Sequence, residues 1–262
     1  MCIRDSPVSD VRADGRALVH ADDRADGVSD LDADGIAGEV RFADGDAVTG
    51  REAPPFGAGL HAGAITNPKL AWAGARAHNR WLEEFCASNP PRRAGVALVP
   101  ITHGVEESVK EVYALADKPG IKGIMIPTMW HDAESYGHEK YDPIWQACHE
   151  TGLVVHTHSG EADAEAYNEN MAQYMLEVAF WTHRPLWQFL LSGKFDKYPN
   201  FKYAPVECRS WWLGDLLWKT DVMFGGTNWK VKKMSSRTKG LMERLPSEYV
   251  GENVFIGAST MS

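Results

Sequence analysis

The segment Leu153–Gly160, with the sequence LVVHTHSG, predicts a buried strand that ends in functional side chains. Its start is apolar and β-branched, and the Ser-Gly pair at its end is typical of a strand terminus. Because side chains alternate along a strand, His156 and His158 face one side of the sheet and Thr157 faces the other. If the histidine side lines the interior of the fold, two imidazoles enter one small, partly dry space.

The two histidines have two interpretations. Imidazole is the commonest metal ligand in proteins and titrates near neutrality, so His156 and His158 are candidates for metal binding or acid/base chemistry. A structural role, with both rings buried and hydrogen-bonded to backbone or hydroxyl groups, explains the same pattern equally well. The residues of this segment leave both interpretations open.

Strands and helices alternate along the rest of the chain. Apolar runs predict strands that begin at Ile36, Ala94, Ile121, Leu153, Phe201 and Asn253. Helical periodicity fills the intervals, with Asp142 as the expected N-cap of one helix and Pro185 as the expected start of a short helix that runs to Ser192. This alternation is typical of parallel βαβ units, either in a (β/α)8 barrel or in a doubly wound sheet. No GxGxxG or GxxxxGK[ST] motif follows a strand, which disfavours nucleotide-binding versions of the open sheet.

Further candidate residues follow the predicted strands. Glu207 lies near the end of the Phe201 strand. In both of these folds, side chains at the C-terminal ends of parallel strands form one common site. We therefore expect His158 and Glu207 to point into a common pocket, with Trp130, His131 and His183 lining its rim. An ion pair between Glu207 and a nearby base, or simple surface exposure of the rim residues, explains their presence almost as well.

Composition restricts the partners and the compartment. With 36 acidic and 27 basic residues the formal net charge is −9, and no basic cluster could neutralise phosphates along a groove, which argues against nucleic acid and anionic membranes. No run approaches the roughly 18 apolar residues of a membrane span. The four cysteines lack CxxC spacing, which indicates free thiols in a reducing compartment. We expect a cytoplasmic protein with a small-molecule substrate, and homo-oligomer formation stays open.

Several sequence blocks form a recognisable set. They are Ala77–Trp81 (AHNRW), Arg93–Pro100 (RAGVALVP), Tyr141–Trp145 (YDPIW), His156–Gly160 (HTHSG), His183–Trp187 (HRPLW) and Gly257–Ser259 (GAS). Together they resemble the amidohydrolase-related family of metal-dependent hydrolases and decarboxylases. The resemblance runs from about Ser29 to the C-terminus, and the YDPIW block followed by HTHSG is its specific part.

The resemblance implies a (β/α)8 barrel of the metal-dependent hydrolase type. Such proteins hold one divalent metal, commonly zinc with manganese as the other candidate, and hydrolyse or decarboxylate small carboxylated, often aromatic, substrates. His158 matches the metal-ligating histidine at the end of the fifth strand, and His156 matches a pocket residue beside it. Glu207 stands where many relatives have a metal-binding or catalytic histidine, so a general base and a carboxylate ligand are both open to it.

Two departures from the family pattern predict an incomplete barrel. No His-x-His pair precedes His156, and the chain ends at Ser262 before the late aspartate that the family supplies. One matched histidine remains where a catalytic zinc site usually has three protein ligands. We expect a fragment of a longer enzyme, with a barrel domain at residues 29–262 after a poorly defined segment 1–28, of which residues 1–6 are non-native. The alternative is a catalytically incompetent fragment that retains only a binding pocket.

Overall fold

The computed structural model describes residues 68–128, 133–158, 170–225 and 242–257, and these contain a four-stranded sheet. Its strands are β1 (Gly95–Leu98), β2 (Ile121–Met125), β3 (Val154–His158) and β4 (Tyr203–Val206). They lie side by side in chain order, and each neighbouring pair is parallel. This arrangement confirms the predicted parallel βαβ units. The strand predicted at Ile36 and the domain boundary predicted after residue 28 lie outside the described residues.

A further segment continues the sheet beyond β4, where the strand from Asn253 is predicted. Val254 and Gly257 pair with β4 in parallel, and the Tyr203 N–H donates to the Asn253 carbonyl at 2.8 Å. The Glu207 N–H donates to the Gly257 carbonyl, also at 2.8 Å. Pro205 lies between these two donors and has no N–H, so the ladder lacks one bond and is interrupted.

Helices connect the strands and cover one face of the sheet. The α-helices are α1 (Pro68–Ala87), α2 (Val105–Ala116), α3 (Asp142–Thr151), α4 (Met171–Leu191), α5 (Lys194–Lys197) and α6 (Trp211–Gly225). Short 3-10 helices are formed by Pro90–Arg92, Ile101–His103, Glu139–Tyr141 and Pro246–Tyr249. Within the described ranges, none of the helices has the length and apolar character needed to cross a membrane.

The prediction of a separate helix from Pro185 to Ser192 is wrong, because Pro185 lies inside α4. A proline in a helix interior removes one backbone hydrogen bond, which disfavours a continuous helix. Here Val178, Leu186 and Leu190 are all buried at helical spacing on both sides of the proline. This continuous apolar stripe packs α4 against the core, and tertiary packing outweighs the local cost.

The prediction of Asp142 as an N-cap is also wrong. Helix α3 begins at Asp142 itself, and its N-cap is Tyr141. The Asp142 carboxylate binds Lys194, which is buried, and Lys197 at 2.6 Å, both in α5. A buried ammonium requires a paired charge. The Asp142 carboxylate therefore binds the two lysines and does not act as the helix cap that the local sequence predicts.

The two faces of the sheet pack against different groups. Ala97, Ile124, Val155 and Tyr203 belong to the main core cluster, which the helices cover. Leu98 and Met125 form a second, smaller cluster with Val96, Val206 and Ala75 of α1. The second cluster is on the face that is the interior of a closed barrel.

The edge of β1 that faces away from β2 is paired by a side chain of α1. The Asn79 amide accepts a hydrogen bond from the Leu98 N–H at 2.7 Å and donates one to the Leu98 carbonyl at 2.9 Å. Both bonds are buried, so the amide supplies the partners that a neighbouring strand would otherwise provide.

Three cysteines of the described ranges, Cys86, Cys148 and Cys208, are buried. Burial raises the pKa of the Cys208 thiol to about 12 and shifts that of Cys148 upward as well. Neither thiol is therefore a ready nucleophile or metal ligand near neutral pH.

Candidate functional site

Of the last three residues of β3, Thr157 faces one side of the sheet, and His156 and His158 face the other. The Thr157 hydroxyl donates to the Thr182 carbonyl of α4 at 2.6 Å, so Thr157 is on the helix-covered face. Alternation then directs His156 and His158 toward the interior face. His158 is 8% exposed, so its imidazole is largely removed from water.

His158 and Glu207 meet at the C-terminal ends of adjacent strands. The register pairs His158 with Val206, and the Nε2 atom of His158 lies 3.2 Å from Oε2 of Glu207. The Glu207 side chain is 40% exposed, so the site joins a buried imidazole to a solvent-accessible carboxylate. The residues that sequence reasoning placed in one pocket are therefore in direct contact.

The backbone at Glu207 adopts an uncommon conformation. Its φ angle is 56°, in the left-handed region that a non-glycine residue occupies only at an energetic cost. The N–H bond to the Gly257 carbonyl holds this conformation just after β4. Strain of this kind is concentrated at functional sites, where surrounding contacts stabilise it.

Thr128 also supports the site, and sequence reasoning missed it. Its hydroxyl donates to the His158 carbonyl at 3.2 Å, and the residue is 1% exposed. Thr128 follows the end of β2, so it joins the termini of two neighbouring strands. Its position directly after a predicted strand was the available sequence signal.

His156 is held as a neutral imidazole in one tautomer. Its Nδ1 lies 3.1 Å from the Ala204 carbonyl, which can only accept, so Nδ1 carries the hydrogen. Burial lowers the pKa of His156 to about 4, although the bond to Ala204 acts in the opposite direction. Near neutral pH, Nε2 is therefore unprotonated and can accept a hydrogen bond or a metal.

The predicted rim residues are placed differently. Trp130 and His131 lie outside the described residues. His183 is in the middle of α4, not in a loop or at a helix start, and its ring stacks on Trp212 with 3.6 Å between centroids. It lines a cavity of about 310 Å³ between α4 and α6, and neither His158 nor Glu207 contributes to that cavity.

Replacing His183 by phenylalanine should reduce the loss of stability at acidic pH. Burial lowers the pKa of His183 from 6.5 to about 4. Between these two pH values the imidazole is protonated in the unfolded chain and neutral in the folded chain. Stability from this residue is complete above pH 6.5 and falls as the pH decreases toward 4. We expect the decrease in the free energy of unfolding between pH 7 and pH 4.5 to be smaller by about 2 kcal/mol in His183→Phe.

Urea unfolding of both proteins at the two pH values measures this difference. Phenylalanine keeps a ring against Trp212, so the variant should fold at pH 7. Equal acid sensitivity in both proteins would show that His183 is protonated in the folded state.

The described residues do not by themselves make up a metal site. Nowhere in these ranges do three or more His, Cys, Asp or Glu side chains converge on a position where a metal ion could be held. His158 and Glu207 are two suitable donors, and His156 presents an unprotonated nitrogen on the same face. A complete site needs donors from elsewhere.

The sequence profile of the family described as Amidohydrolase matches residues 17–208. The chain belongs to the amidohydrolase family. Comparison of the chain with curated protein sequences gives no significant match.

Solved structures similar to this chain include three decarboxylases. The 5-carboxyvanillate decarboxylase of Sphingomonas paucimobilis is 21% identical over 73% of this chain, with a TM-score of 0.61. The dihydroxybenzoic acid decarboxylase of Polaromonas sp. JS666, with bound manganese and the inhibitor 2-nitroresorcinol, is 19% identical over 78% of this chain, with a TM-score of 0.60. The 2,6-dihydroxybenzoate decarboxylase of Rhizobium is 18% identical over 74%, with a TM-score of 0.60.

These similarities confirm the predicted fold class. The strands of this chain form part of the (β/α)8 barrel of the family. The chain spans 56% of the length of the Sphingomonas protein, 60% of the Polaromonas protein and 61% of the Rhizobium protein.

Proposed function

We propose that the chain belongs to a metal-dependent enzyme that decarboxylates small aromatic acids. The observation that carries this proposal is the contact between His158 Nε2 and Glu207 Oε2, 3.2 Å long, at adjacent strand ends of an amidohydrolase barrel. The enzymes in the three similar structures act on carboxylated phenols, as their names state. Hydrolysis is the second candidate, because the family also includes hydrolases and the same groups serve both reactions.

His158 and Glu207 fit a divalent metal chemically. Two ligand atoms about 2.1 Å from one metal lie roughly 3.0 to 3.4 Å from each other in octahedral or tetrahedral coordination, so the observed 3.2 Å separation suits shared ligation. It suits a direct hydrogen bond equally well. Imidazole and carboxylate are accepted by both zinc and manganese, and the Polaromonas structure holds manganese. We propose His158 as a ligand, with the remaining donors outside the described residues.

The proposed roles follow from exposure and protonation. A divalent cation in the site would polarise a substrate carboxylate or phenolate. Glu207, which is half exposed beside His158, can hold a proton and deliver it to the ring carbon that loses CO₂. In hydrolysis it would instead take a proton from water. His156, neutral with a free Nε2, can accept a hydrogen bond from a substrate hydroxyl.

We propose that the rim residues Trp130, His131 and His183 contribute to substrate binding. Trp130 and His131 follow β2 in the sequence, and loops after barrel strands line the substrate pocket in this architecture. His183 lies on α4 with its aromatic neighbours and would contribute from the side of that helix. The competing proposal, a barrel fragment with a pocket but no activity, is favoured by the small number of metal donors in the described ranges.

Changing Glu207 to glutamine tests the division of roles. If Glu207 transfers a proton, Glu207→Gln should keep Mn²⁺ affinity within a few-fold and lower turnover by about 10²- to 10⁴-fold. Turnover is followed as CO₂ release from dihydroxybenzoates, and ring-opened or hydrolysed products are sought in parallel. The purified chain and a longer version with its flanking coding sequence are compared, each loaded with Mn²⁺ or Zn²⁺.

Three outcomes decide among the alternatives. Loss of Mn²⁺ binding in Glu207→Gln would make Glu207 a ligand. Hydrolysis without CO₂ release would replace decarboxylation by the second candidate reaction. Failure of both wild-type proteins to bind metal would leave the inactive binding fragment.

A further inference from the structure

A buried hydroxyl pair joins the strand that carries the histidines to helix α4. Thr157 Oγ1 lies 2.6 Å from the Thr182 carbonyl and 2.5 Å from the Tyr203 hydroxyl. The Tyr203 hydroxyl is also 3.1 Å from the same carbonyl. Thr157, Thr182 and Tyr203 are each 0% exposed, so bulk water does not compete for these bonds.

Thr157 is the central member of this group. Each hydroxyl has one hydrogen, so two hydrogens serve three contacts. The two shortest contacts are satisfied together when Tyr203 donates to Thr157 and Thr157 donates to the Thr182 carbonyl. Burial keeps the pKa of Tyr203 well above its ordinary value, so this hydroxyl retains its proton. The bond from β3 to α4 therefore depends on Thr157.

The receiving turn of α4 contains Pro185. A proline has no N–H to offer to the carbonyl four residues earlier, and its ring pushes against that turn. Thr182 lies in this turn of the helix. Its carbonyl is within hydrogen-bonding distance of the Thr157 and Tyr203 hydroxyls of the sheet. The hydroxyls of β3 and β4 thus bind α4 in the turn that precedes Pro185.

We propose that Thr157 is a positioning residue for the metal site. It lies between His156 and His158, and its bond on the outer face sets the direction in which both imidazoles point inward. Without that bond the end of β3 is still paired with β2 and β4 but loses its link to α4, so the contact of His158 with Glu207 is less firmly fixed. The effect on metal rests on the function proposed above, whereas the effect on β3 does not.

Thr157→Val removes the hydroxyl and keeps the shape of the side chain. Tyr203 can still donate to the Thr182 carbonyl, so no buried donor loses its partner and the variant should fold. Thr157→Ser restores the hydroxyl. Thr220→Val is the matched control, because Thr220 is buried and its hydroxyl donates to the carbonyls of Leu216 and Leu217, both within α6.

The primary measurement is amide hydrogen exchange at residues 156–158 in metal-free protein. We expect about fivefold faster exchange in Thr157→Val, near wild-type rates in Thr157→Ser and no change in Thr220→Val. Tyr203→Phe should have the smaller effect, because it leaves the Thr157 bond intact. Mn²⁺ affinity should fall about tenfold in Thr157→Val and recover in Thr157→Ser.

Equal exchange at the end of β3 in Thr157→Val and Thr220→Val would overturn the proposal. Faster exchange that serine fails to restore would also overturn it, since packing and not the hydroxyl would be responsible. If the wild-type protein binds no Mn²⁺, the proposed function fails, and the exchange comparison still decides the role of Thr157.

Discussion

Replacing His158 by alanine should weaken Mn²⁺ binding by about 100-fold or more. Loss of an outer partner of a metal ligand typically costs 10- to 100-fold in affinity, and loss of the ligand itself costs at least as much. His158 is the histidine that lies on the interior face within 3.2 Å of Glu207. Calorimetric titration of metal-free protein with Mn²⁺ measures the change in affinity.

His149→Ala is the control for this experiment. His149 belongs to α3, and its Nδ1 accepts a bond from the Asn200 N–H at 3.0 Å, away from the strand ends that form the site. A surface histidine of this kind could bind metal weakly, so its variant reports adventitious binding. Unchanged affinity in His158→Ala would remove His158 from the mechanism and with it the assignment of the site.

The strands were predictable because their signals are local. Apolar, β-branched runs such as Leu153–His158 need no knowledge of the rest of the chain, and short helical intervals between them favour parallel pairing. The contact of His158 with Glu207 follows from the same logic. Once two strands are parallel neighbours, their C-terminal side chains meet, whatever the intervening sequence.

The failed predictions share a physical cause. Pro185 and Asp142 carry strong local signals for a helix start, and in both places a long-range interaction prevails. The stripe from Val178 to Leu190 packs across Pro185, and Asp142 binds two lysines that are more than 50 residues away. Local propensity is worth about 1 to 3 kcal/mol at such positions, and packing or a buried ion pair can exceed it.

Some features of the site have no local signal at all. The tautomer of His156 depends on the Ala204 carbonyl of another strand. The link from Thr157 to α4 depends on the Thr182 carbonyl, which is 25 residues away. Such contacts are set by register, and a sequence pattern with a period of two specifies the face of a side chain but not its cross-strand partner.

Gly123 provides the second large expected effect, because His156 occupies the space beside it. A Cβ atom at Gly123 would lie 2.8 Å from His156 Nε2 and 2.7 Å from the Val154 carbonyl oxygen. The imidazole could rotate away only by giving up its bond to Ala204, and the carbonyl could move only with the β2–β3 ladder. Gly123→Ala should therefore lower the free energy of unfolding by about 1 to 3 kcal/mol.

Gly214→Ala gives the opposite expectation with the same chemical change. Gly214 is exposed in α6 and a Cβ there meets nothing within 4 Å, so alanine should stabilise the protein by about 0.5 to 1 kcal/mol. Thermal unfolding of both variants measures the contrast, and the imidazole NMR signals of His156 should change only in Gly123→Ala. Adding His156→Ala to Gly123→Ala removes the ring contact but leaves the Val154 carbonyl, so the double variant should recover only part of the loss. A Gly123→Ala protein as stable as wild type would mean that His156 does not lie over β2, and that its Nε2 is not where the proposed substrate contact requires it.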